Sequence, residues 1–233
     1  MGQGTQKDHQ GKKLMGAPKV FVLSDFDGTI TTCNTMDILY ETHASCGLKY
    51  VREWEAGKLS TMEEEKISFE HIKATRAEME RTIDENMVID PAIGDLVAYC
   101  HAHDYGFAIV SEGQTWYIHY MLSKLGVSVD KVYGSELTFN ADGSFSMAYP
   151  YHDPRYPMRG TAKASIIENY KKEGYFTIFL GDGKSDTDAV KAADKVYAKD
   201  HLLEYCLKHD IAVTGFEDFK GLLELWEQQP PAL

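Results

Sequence analysis

The sequence predicts an α/β fold: a three-layer, Rossmann-like parallel sheet core with a small helical cap inserted after the first strand. Two observations lead to this prediction. The apolar runs at 20–23 and 177–180 are rich in β-branched and aromatic residues, which is typical of parallel strands covered on both faces. The chain after residue 90 then alternates between strand and helix patterns, which is typical of a parallel sheet with crossover helices.

The segment 34–90, between the first two strands, shows no strand alternation and is predicted to be helical. The strings at 61–64 (Thr-Met-Glu-Glu) and 75–78 (Thr-Arg-Ala-Glu) match capping boxes, which start helices by pairing orphan N–H groups reciprocally. The charged run at 63–66 is interpreted as a solvated helix face. This segment is therefore predicted to be a helical insertion.

The rest of the chain supplies the remaining elements of the predicted fold. A helix is predicted at 91–104, a strand at 106–110 and a second helix at 115–125. Ser111 is expected to close the strand. The aromatic residues of the second helix, Trp116, Tyr117 and Tyr120, are expected in the core. An Asp-Gly turn at 142–143 predicts a β-hairpin. Later helices are predicted from Lys163 and from about 216 to 226, and the loop 149–159 could border a pocket.

Composition limits what the chain can be. With 233 residues, 43% of them hydrophobic, it can bury a full core. The net charge of −12 disfavours nucleic-acid binding, and no apolar run approaches the roughly 20 residues of a membrane span. The cysteines form no paired motif, which favours a reducing cytoplasm: Cys33, Cys46, Cys100 and Cys206. Residues 1–17, rich in Gly, Gln and Lys, are expected to form a disordered leader.

Four aspartates follow two of the predicted strands: Asp25 and Asp27 after the first, Asp182 and Asp186 after the later one. Ligands of open parallel sheets bind beyond the carboxyl ends of the strands, so these carboxylates are expected at one edge. Their charges repel one another unless a cation neutralises them, and oxygen ligands at a phosphate-handling site favour Mg²⁺. The sequence therefore predicts a site for one Mg²⁺ ion and a phosphoryl group.

Ser111 and Lys163 supply the remaining groups that a phosphate site needs. A hydroxyl and the backbone N–H groups at a helix N-terminus can bind phosphate oxygens, and a lysine offsets their negative charge. Taken separately, Ser111 would be interpreted as an N-cap and Lys163 as a surface charge. Their order and position along the chain favour the phosphate site.

The same residues predict a reaction. A carboxylate can attack phosphorus, so Asp25 is the predicted nucleophile and would form an aspartyl-phosphate. Asp27 lies two positions on, on the same side of an extended chain, and is the predicted general acid for the leaving alcohol and general base for the attacking water. Gly28 permits a sharp turn after this pair.

The chain resembles the haloacid dehalogenase superfamily in its phosphatase branch. Motif one matches residues 25–29, motif two Ser111, motif three Lys163, and motif four Asp182 with Asp186. The resemblance covers roughly residues 18–227, which is nearly the whole chain. Within the branch, the chain is most similar to the phosphoserine phosphatase-like group, and especially to the 2-hydroxy-3-keto-5-methylthiopentenyl-1-phosphate phosphatases of methionine salvage.

This resemblance implies a domain organisation and a set of metal ligands. Residues 18–33 and 91–233 would form the core domain and 34–90 the cap. Mg²⁺ would be held by Asp25, the backbone carbonyl of Asp27, and Asp182. Supporting roles would fall to Asp186, Gly28 and Thr29.

The substrate is left open among several small phosphomonoesters. Phosphoserine phosphatases carry a substrate-binding Glu nine residues after the nucleophile, where this chain has Asn34, so phosphoserine is disfavoured. A methionine-salvage-type sugar phosphate is the first candidate, although the paired cysteines of those enzymes before Lys163 are replaced here at 157–161 (Pro-Met-Arg-Gly-Thr). Glu112, where Gly is common, either attracts a cationic head group, as in phosphoethanolamine or phosphocholine, or faces solvent.

Two further functions are kept as alternatives to phosphatase activity. In a phosphotransferase, the phosphoenzyme would pass its phosphoryl group to an acceptor alcohol instead of water. A phosphometabolite-binding protein without turnover is disfavoured because both acids of motif one, Asp25 and Asp27, are intact.

Overall fold

A seven-stranded sheet forms the centre of the computed structural model, which describes residues 19–231. The strands are β1 (Lys19–Ser24), β2 (Gly106–Gln114), β3 (Lys131–Phe139), β4 (Phe145–Ala148), β5 (Tyr175–Gly181), β6 (Lys195–Ala198) and β7 (Thr214–Gly215), in the spatial order β4-β3-β2-β1-β5-β6-β7. Neighbours pair in parallel except β3 and β4, which form the predicted hairpin. The predicted fold class is confirmed. The leader predicted at 1–17 lies outside the described residues.

Ten helices occur in the described part of the chain. They are α1 (Thr35–His43), α2 (Lys49–Glu55), α3 (Thr61–Glu70), α4 (Arg76–Asn86), α5 (Ile93–Ala102), α6 (Thr115–Leu125), α7 (Lys163–Lys172), α8 (Ala189–Ala192), α9 (Asp200–Lys208) and α10 (Phe219–Gln228). Helices α1 to α4 occupy the insertion predicted to be helical. None of the helices in residues 19–231 is long and apolar enough to cross a membrane.

The central strand β1 sends alternate side chains into two separate apolar cores. Val20 and Val22 join a core that includes residues of α5, α6 and α10, whereas Phe21 and Leu23 join a second core with residues of α7 and α9. Successive side chains of a strand point to opposite faces of the sheet, so this alternation defines three layers. The wholly apolar run at 20–23 is explained by burial on both faces.

The strand register places the predicted site residues at one edge of the sheet. Ser24 is paired with Leu180 of β5 on one side and with Ile109 of β2 on the other. Asp25 continues this alignment, since its backbone N–H donates to the Leu180 carbonyl at 2.8 Å. Asp25 and Asp182 therefore leave the sheet side by side, and the chain following Ile109 runs toward the same edge.

Strand β2 is longer than the sequence predicted. Extended backbone continues past Ser111 to Gln114, with a shift in the pairing to β3 between Val110 and Gln114. The prediction that Ser111 closes this strand is therefore wrong. The irregular pairing is the physical reason, because a bulged strand can continue while it changes direction.

The start of α3 differs from the prediction by one residue, and this changes which acids are buried. The capping box is formed by Ser60 and Glu63, whereas the predicted box at 75–78 is present at the start of α4. Glu64 and Glu65 are buried, 7% and 3% exposed, so the interpretation of the whole run as a solvated face is wrong. The buried residues of α3 follow helical spacing, which predicts one inward face: Thr61, Glu64, Glu65, Ser68 and Phe69.

Replacing Ser60 by Ala should lower the free energy of unfolding by about 1 kcal/mol, because the side chain accepts a hydrogen bond from the Glu63 backbone N–H in the capping box. Urea denaturation measures the change. Ser123→Ala is the control: this exposed hydroxyl donates to the Tyr120 carbonyl within α6, and its loss should cost less than about 0.5 kcal/mol. Equal losses in both variants would contradict a special role for the cap.

Candidate active site

Asp25 directly follows β1 and both of its carboxylate oxygens have partners. The residue is 4% exposed, and one carboxylate oxygen, Oδ1, accepts a hydrogen bond from the Phe26 backbone N–H at 2.7 Å. The other oxygen, Oδ2, lies 2.7 Å from Lys163 Nζ. Burial, followed by repulsion from Asp186, raises the pKa of the Asp25 carboxyl well above its ordinary value. The structure thus brings the predicted nucleophile and the predicted lysine into direct contact.

Lys163 is the first residue of α7 and is 3% exposed, so it is not a surface charge. Its ammonium group lies between two carboxylates, with Asp186 Oδ1 at 2.6 Å on the other side from Asp25. Burial alone would lower the pKa of Lys163, but the two aspartates outweigh it and hold the pKa above its ordinary value. The lysine is therefore a fixed positive charge.

The loop after β5 places Asp182 and Asp186 around this lysine. Asp186 is fully buried, and its Oδ2 accepts from the backbone N–H groups of Asp182 at 3.2 Å and Gly183 at 3.1 Å. Asp182 Oδ1 accepts from the Thr29 hydroxyl at 2.6 Å. Both oxygens of Asp186 are thus occupied by protein groups, whereas Asp182 has a carboxylate oxygen left for another partner.

Gly28 is required by the approach of this loop. Its φ of +82° lies in the left-handed region, and a Cβ at this position would lie 2.2 Å from Asp182 Oδ2. A side chain would therefore strain the turn and displace the aspartate. Gly28 therefore has two roles: it permits the predicted turn, and its lack of a side chain leaves room for the Asp182 carboxylate.

The acidic cluster has the composition that a divalent cation needs. Carboxylate oxygens of Asp25, Asp182 and Asp186 all lie within 4.8 Å of one another. When all three carboxyls are ionised, their charges and that of Lys163 sum to −2. Burial together with Asp186 raises the pKa of Asp182 to about 6, so this ionised state needs a further cation. An all-oxygen donor set with this surplus fits Mg²⁺.

Asp27 lies apart from this cluster and faces another set of groups. Its Oδ1 accepts from the Thr35 backbone N–H at 2.8 Å, and its Oδ2 accepts from the Tyr117 hydroxyl at 2.5 Å. Burial raises its pKa, although both hydrogen bonds act in the opposite direction. The side chain of Asp27 is therefore not grouped with the other three aspartates, and the predicted metal contact through this residue would be its backbone carbonyl.

Tyr117 is a site residue that the sequence interpretation assigned to the core. It is fully buried, as expected, but its hydroxyl contacts Asp27. A Cβ on Gly113 would lie 1.7 Å from that hydroxyl, so the glycine makes room for the tyrosine. The signal was the position of Tyr117 in the first turn of α6, directly after β2, which places it at the same sheet edge as the aspartates.

Ser111 and Glu112 lie side by side on the extended end of β2. Ser111 is buried, and its hydroxyl accepts from the Gly113 backbone N–H at 3.0 Å. The Glu112 side chain is 12% exposed, and its Oε2 accepts from the Gly160 N–H at 2.9 Å. Of the two alternatives for Glu112, the one in which it faces solvent is therefore wrong: its side chain contacts the loop before α7, with Arg159 Nε 4.0 Å from its Oε1.

A cavity of about 80 Å³ joins the acid pair of motif one to the helical insertion. The core contributes Asp25, Asp27, Ser111, Glu112, Gly113, Tyr117 and Ser185 to its lining, and the insertion contributes Asn34, Met36, Asp37, Tyr40, Val51, Trp54, Thr61, Glu64 and Glu65. The sequence interpretation missed the acids of α3 and the aromatic residues of α1 and α2. The helical spacing of the buried face of α3 was the available signal.

Comparison with known proteins identifies the family. The model of the haloacid dehalogenase-like hydrolases matches residues 22–191. A 2-hydroxy-3-keto-5-methylthiopentenyl-1-phosphate phosphatase from Lysinibacillus sphaericus is 28% identical over 225 residues, 90% of this chain and 95% of that protein. A phosphatase of the same name from Bacillus cytotoxicus is 25% identical over 202 residues, 85% of this chain and 91% of that protein.

The fold is also found among solved structures. The phospho-aspartyl intermediate analogue of a phosphoserine phosphatase superposes with a TM-score of 0.68 at 22% identity, and covers 89% of this chain and 99% of its own. This likeness concerns the fold, and the family match spans most of the chain. The chain therefore belongs to the haloacid dehalogenase-like hydrolases.

Proposed function

We propose that this hydrolase is a Mg²⁺-dependent phosphatase that cleaves a small phosphomonoester through an aspartyl-phosphate. Its class, phosphoric monoester hydrolase, follows from the family and from the phosphatases that it resembles. The observation that carries the mechanism is the separation of two kinds of acid at one cavity. Asp25 is paired with a buried lysine inside an acidic cluster, whereas Asp27 stands apart and is hydrogen-bonded by Thr35 and Tyr117.

Asp25 and Asp182, with the backbone carbonyl of Asp27, would hold the metal. The ion, when bound, offsets the negative charge shared by the carboxylates and the phosphoryl oxygens. Asp186 does not need to be a direct ligand, because both its oxygens are used by Lys163 and by the loop backbone. Its role would be to fix the lysine and the Asp182 loop.

The nucleophile in the first step would be a carboxylate oxygen of Asp25. It attacks phosphorus, an Asp–O–P bond forms, and the bond from phosphorus to the ester oxygen breaks. Lys163 offsets charge on the phosphoryl oxygens, with Ser111 and neighbouring backbone N–H groups as donors. The lysine reaches this position because it begins α7, and it remains charged because two aspartates flank it.

Asp27 would transfer the proton in both steps. It gives a proton to the leaving alcohol oxygen, and then takes one from the water that attacks the aspartyl-phosphate, which releases phosphate and restores Asp25. A pKa raised by burial favours the protonated form that the first step needs. Tyr117 would be a positioning residue, since its hydroxyl holds one oxygen of Asp27.

The insertion 34–90 would act as a cap on the core formed by 18–33 and 91–233. It supplies more than half of the residues that line the cavity, so it would exclude water from the phosphoenzyme and select the leaving group. Asn34 is committed to capping α1, where its side chain accepts from the N–H groups of Met36 and Asp37. This supports the earlier inference that phosphoserine is disfavoured.

A methionine-salvage-type sugar phosphate remains a candidate through the named relatives. The segment before Lys163, where those enzymes carry paired cysteines, makes structural contacts here: Gly160 N–H donates to Glu112, and Arg159 Nε lies 3.2 Å from Asp188 Oδ2.

Hydrolysis of a panel of phosphorylated metabolites, measured as released phosphate with and without Mg²⁺, tests the proposed function. Transfer of the phosphoryl group to added alcohols would favour a phosphotransferase instead.

Asp25→Asn should abolish phosphoenzyme formation, because an amide is a poor nucleophile and a poorer metal ligand. Acid quench followed by detection of protein-bound phosphate measures the intermediate. Asp104→Asn is a matched control, since this exposed residue has a φ of +58° that Asn also tolerates. Undiminished turnover in Asp25→Asn would refute the mechanism.

Asp27→Asn should keep metal binding but lower turnover by about 10² to 10⁴, because proton transfer is lost while the backbone carbonyl is unchanged. The loss should be smaller for aryl phosphates, whose leaving groups need less protonation. Steady-state rates on an alkyl and an aryl phosphate provide the comparison. Equal losses on both substrates would contradict the general-acid role.

Tyr117→Phe should lower kcat for alkyl phosphates by about tenfold with little change in KM, because a hydrogen bond to a charged group contributes roughly 1.5 to 3 kcal/mol. Aryl phosphates should be affected less if Tyr117 acts through Asp27. Tyr120→Phe, on the same helix with its hydroxyl on Asp84, is the control. A loss of stability with uniform rate loss on both substrates would indicate a structural role only.

A further inference from the structure

The cavity contains a second group of acids that the proposed chemistry does not use. We infer that the substrate is the phosphomonoester of a short alcohol that bears an ammonium group, so that the leaving group is cationic. This inference rests on the proposed function. The recognising residues would be Asp37, Glu64 and Glu65, with the aromatic rings of Tyr40 and Trp54. All five line the same cavity as the predicted nucleophile Asp25.

The two glutamates of α3 are buried without a cationic partner among the described residues. Glu64 Oε1 accepts from the Ser68 hydroxyl at 2.6 Å, and Glu65 Oε1 accepts from the Gln114 amide at 2.7 Å. Glu65 Oε2 is buried and makes no well-formed hydrogen bond in the described part of the chain, although the Tyr149 hydroxyl lies close enough to the Glu65 carboxyl to lower its pKa. Buried carboxylates are normally paired, so this arrangement lacks one positive group.

A tyrosine hydroxyl of a residue that lines the same cavity also lacks a well-formed hydrogen bond. The Tyr40 hydroxyl, in a residue that is 1% exposed, has none within residues 19–231, although Ser68 lies close enough to affect its pKa. A primary ammonium group has three donors and could satisfy Tyr40 and Glu65 together. Two residues that line one cavity thus each have a polar atom without a well-formed hydrogen bond, which favours a donor-rich ligand.

The charged residues around this cavity disfavour a substrate with an anionic leaving group. No lysine or arginine is present among the described residues that line it, whereas acids line it from both the core and the insertion. Arg159 is engaged by Asp188 and lies near Glu112, and Lys163 is engaged by Asp25 and Asp186. A carboxylate or second phosphate on the leaving group would therefore find no lysine or arginine among the described residues that line the cavity.

The directions of the pKa shifts of these three acids agree with this account. Burial raises the pKa of Asp37 to about 6, and burial raises the pKa of Glu64 to about 7 and that of Glu65 well above its ordinary value. Without a cation, these groups therefore tend to bind protons. An ammonium group would favour their ionised forms and gain charge-assisted hydrogen bonds.

The aromatic residues favour an ammonium group over a neutral polyol. The Trp54 ring is fixed by its N–H, which donates to the Thr61 hydroxyl at 3.1 Å, and Tyr40 is fixed by burial. Aromatic faces attract alkylammonium groups as well as neutral apolar ones, but with an added electrostatic contribution. The small cavity, about 80 Å³, limits the alcohol to a few heavy atoms.

Matched substrates test the charge directly. Phosphocholine and 3,3-dimethylbutyl phosphate have the same shape and differ by nitrogen in place of carbon, and phosphoethanolamine and propyl phosphate form a second pair. The wild-type enzyme should show at least a tenfold higher kcat/KM for the cationic member of one pair. Which pair shows the preference distinguishes a quaternary from a primary ammonium group.

Variants locate the effect. Glu64→Gln combined with Glu65→Gln should lower kcat/KM for the preferred cationic substrate at least tenfold, and change that for its neutral partner by less than threefold. Glu70→Gln is the control, because it removes one glutamate charge of the same kind from an exposed position on α3. If the double variant does not fold, inhibition of the wild-type enzyme replaces it: choline or ethanolamine should compete with substrate, and 3,3-dimethylbutanol or propanol should not.

The outcomes separate this inference from the proposed function. Equal hydrolysis of the cationic and neutral members of both pairs would overturn the cationic leaving group and leave the phosphatase intact. Equal inhibition by charged and neutral alcohols would do the same. Failure to hydrolyse any phosphomonoester or a generic aryl phosphate with Mg²⁺ would instead overturn the proposed function.

Discussion

The buried ion cluster of Lys163, Asp25 and Asp186 connects the elements that make up the site. Lys163 begins α7, Asp25 directly follows β1, and Asp186 lies in the segment after β5, so three separate parts of the chain meet at one ammonium group. Removal of one partner from a buried pair leaves an uncompensated charge, which costs roughly 3 to 5 kcal/mol. The same contacts hold the lysine where a phosphoryl group would approach. Stability and the proposed chemistry thus depend on one set of interactions.

The cluster also explains how a chain with a net charge of −12 could bind a phosphate ester. Long-range electrostatics oppose binding, so attraction must come from charges within a few ångströms. Lys163 provides one such charge, and the surplus of −2 on the aspartates provides a place for a divalent cation. On this account, metal and substrate are bound together, because each offsets charge that the other brings.

Sequence patterns predicted the parts of the site that depend on strand order. Acids that follow buried parallel strands meet at the carboxyl edge of the sheet, so the sequence alone predicts that Asp25 and Asp182 lie close together. Glu64 and Glu65 were misplaced because a run of charged residues is usually solvated, and only the tertiary packing of α3 shows which face turns inward. Tyr117 was assigned to the core for a similar reason, since burial does not reveal where a hydroxyl points. The extension of β2 past Ser111 depends on an irregular pairing with β3 that local sequence does not specify.

The proposed general acid is attached to the insertion that would select the substrate. Asp27 Oδ1 accepts from the Thr35 N–H, the first residue of α1, and Asn34 caps the same helix. Partial positive charge at a helix N-terminus stabilises a nearby carboxylate, so the position of α1 influences how readily Asp27 holds its proton. Helix α1 also carries Asp37 and Tyr40 into the cavity. A leaving group bound by these two residues would thus act on the same helix that orients Asp27, which links recognition of the alcohol to its protonation.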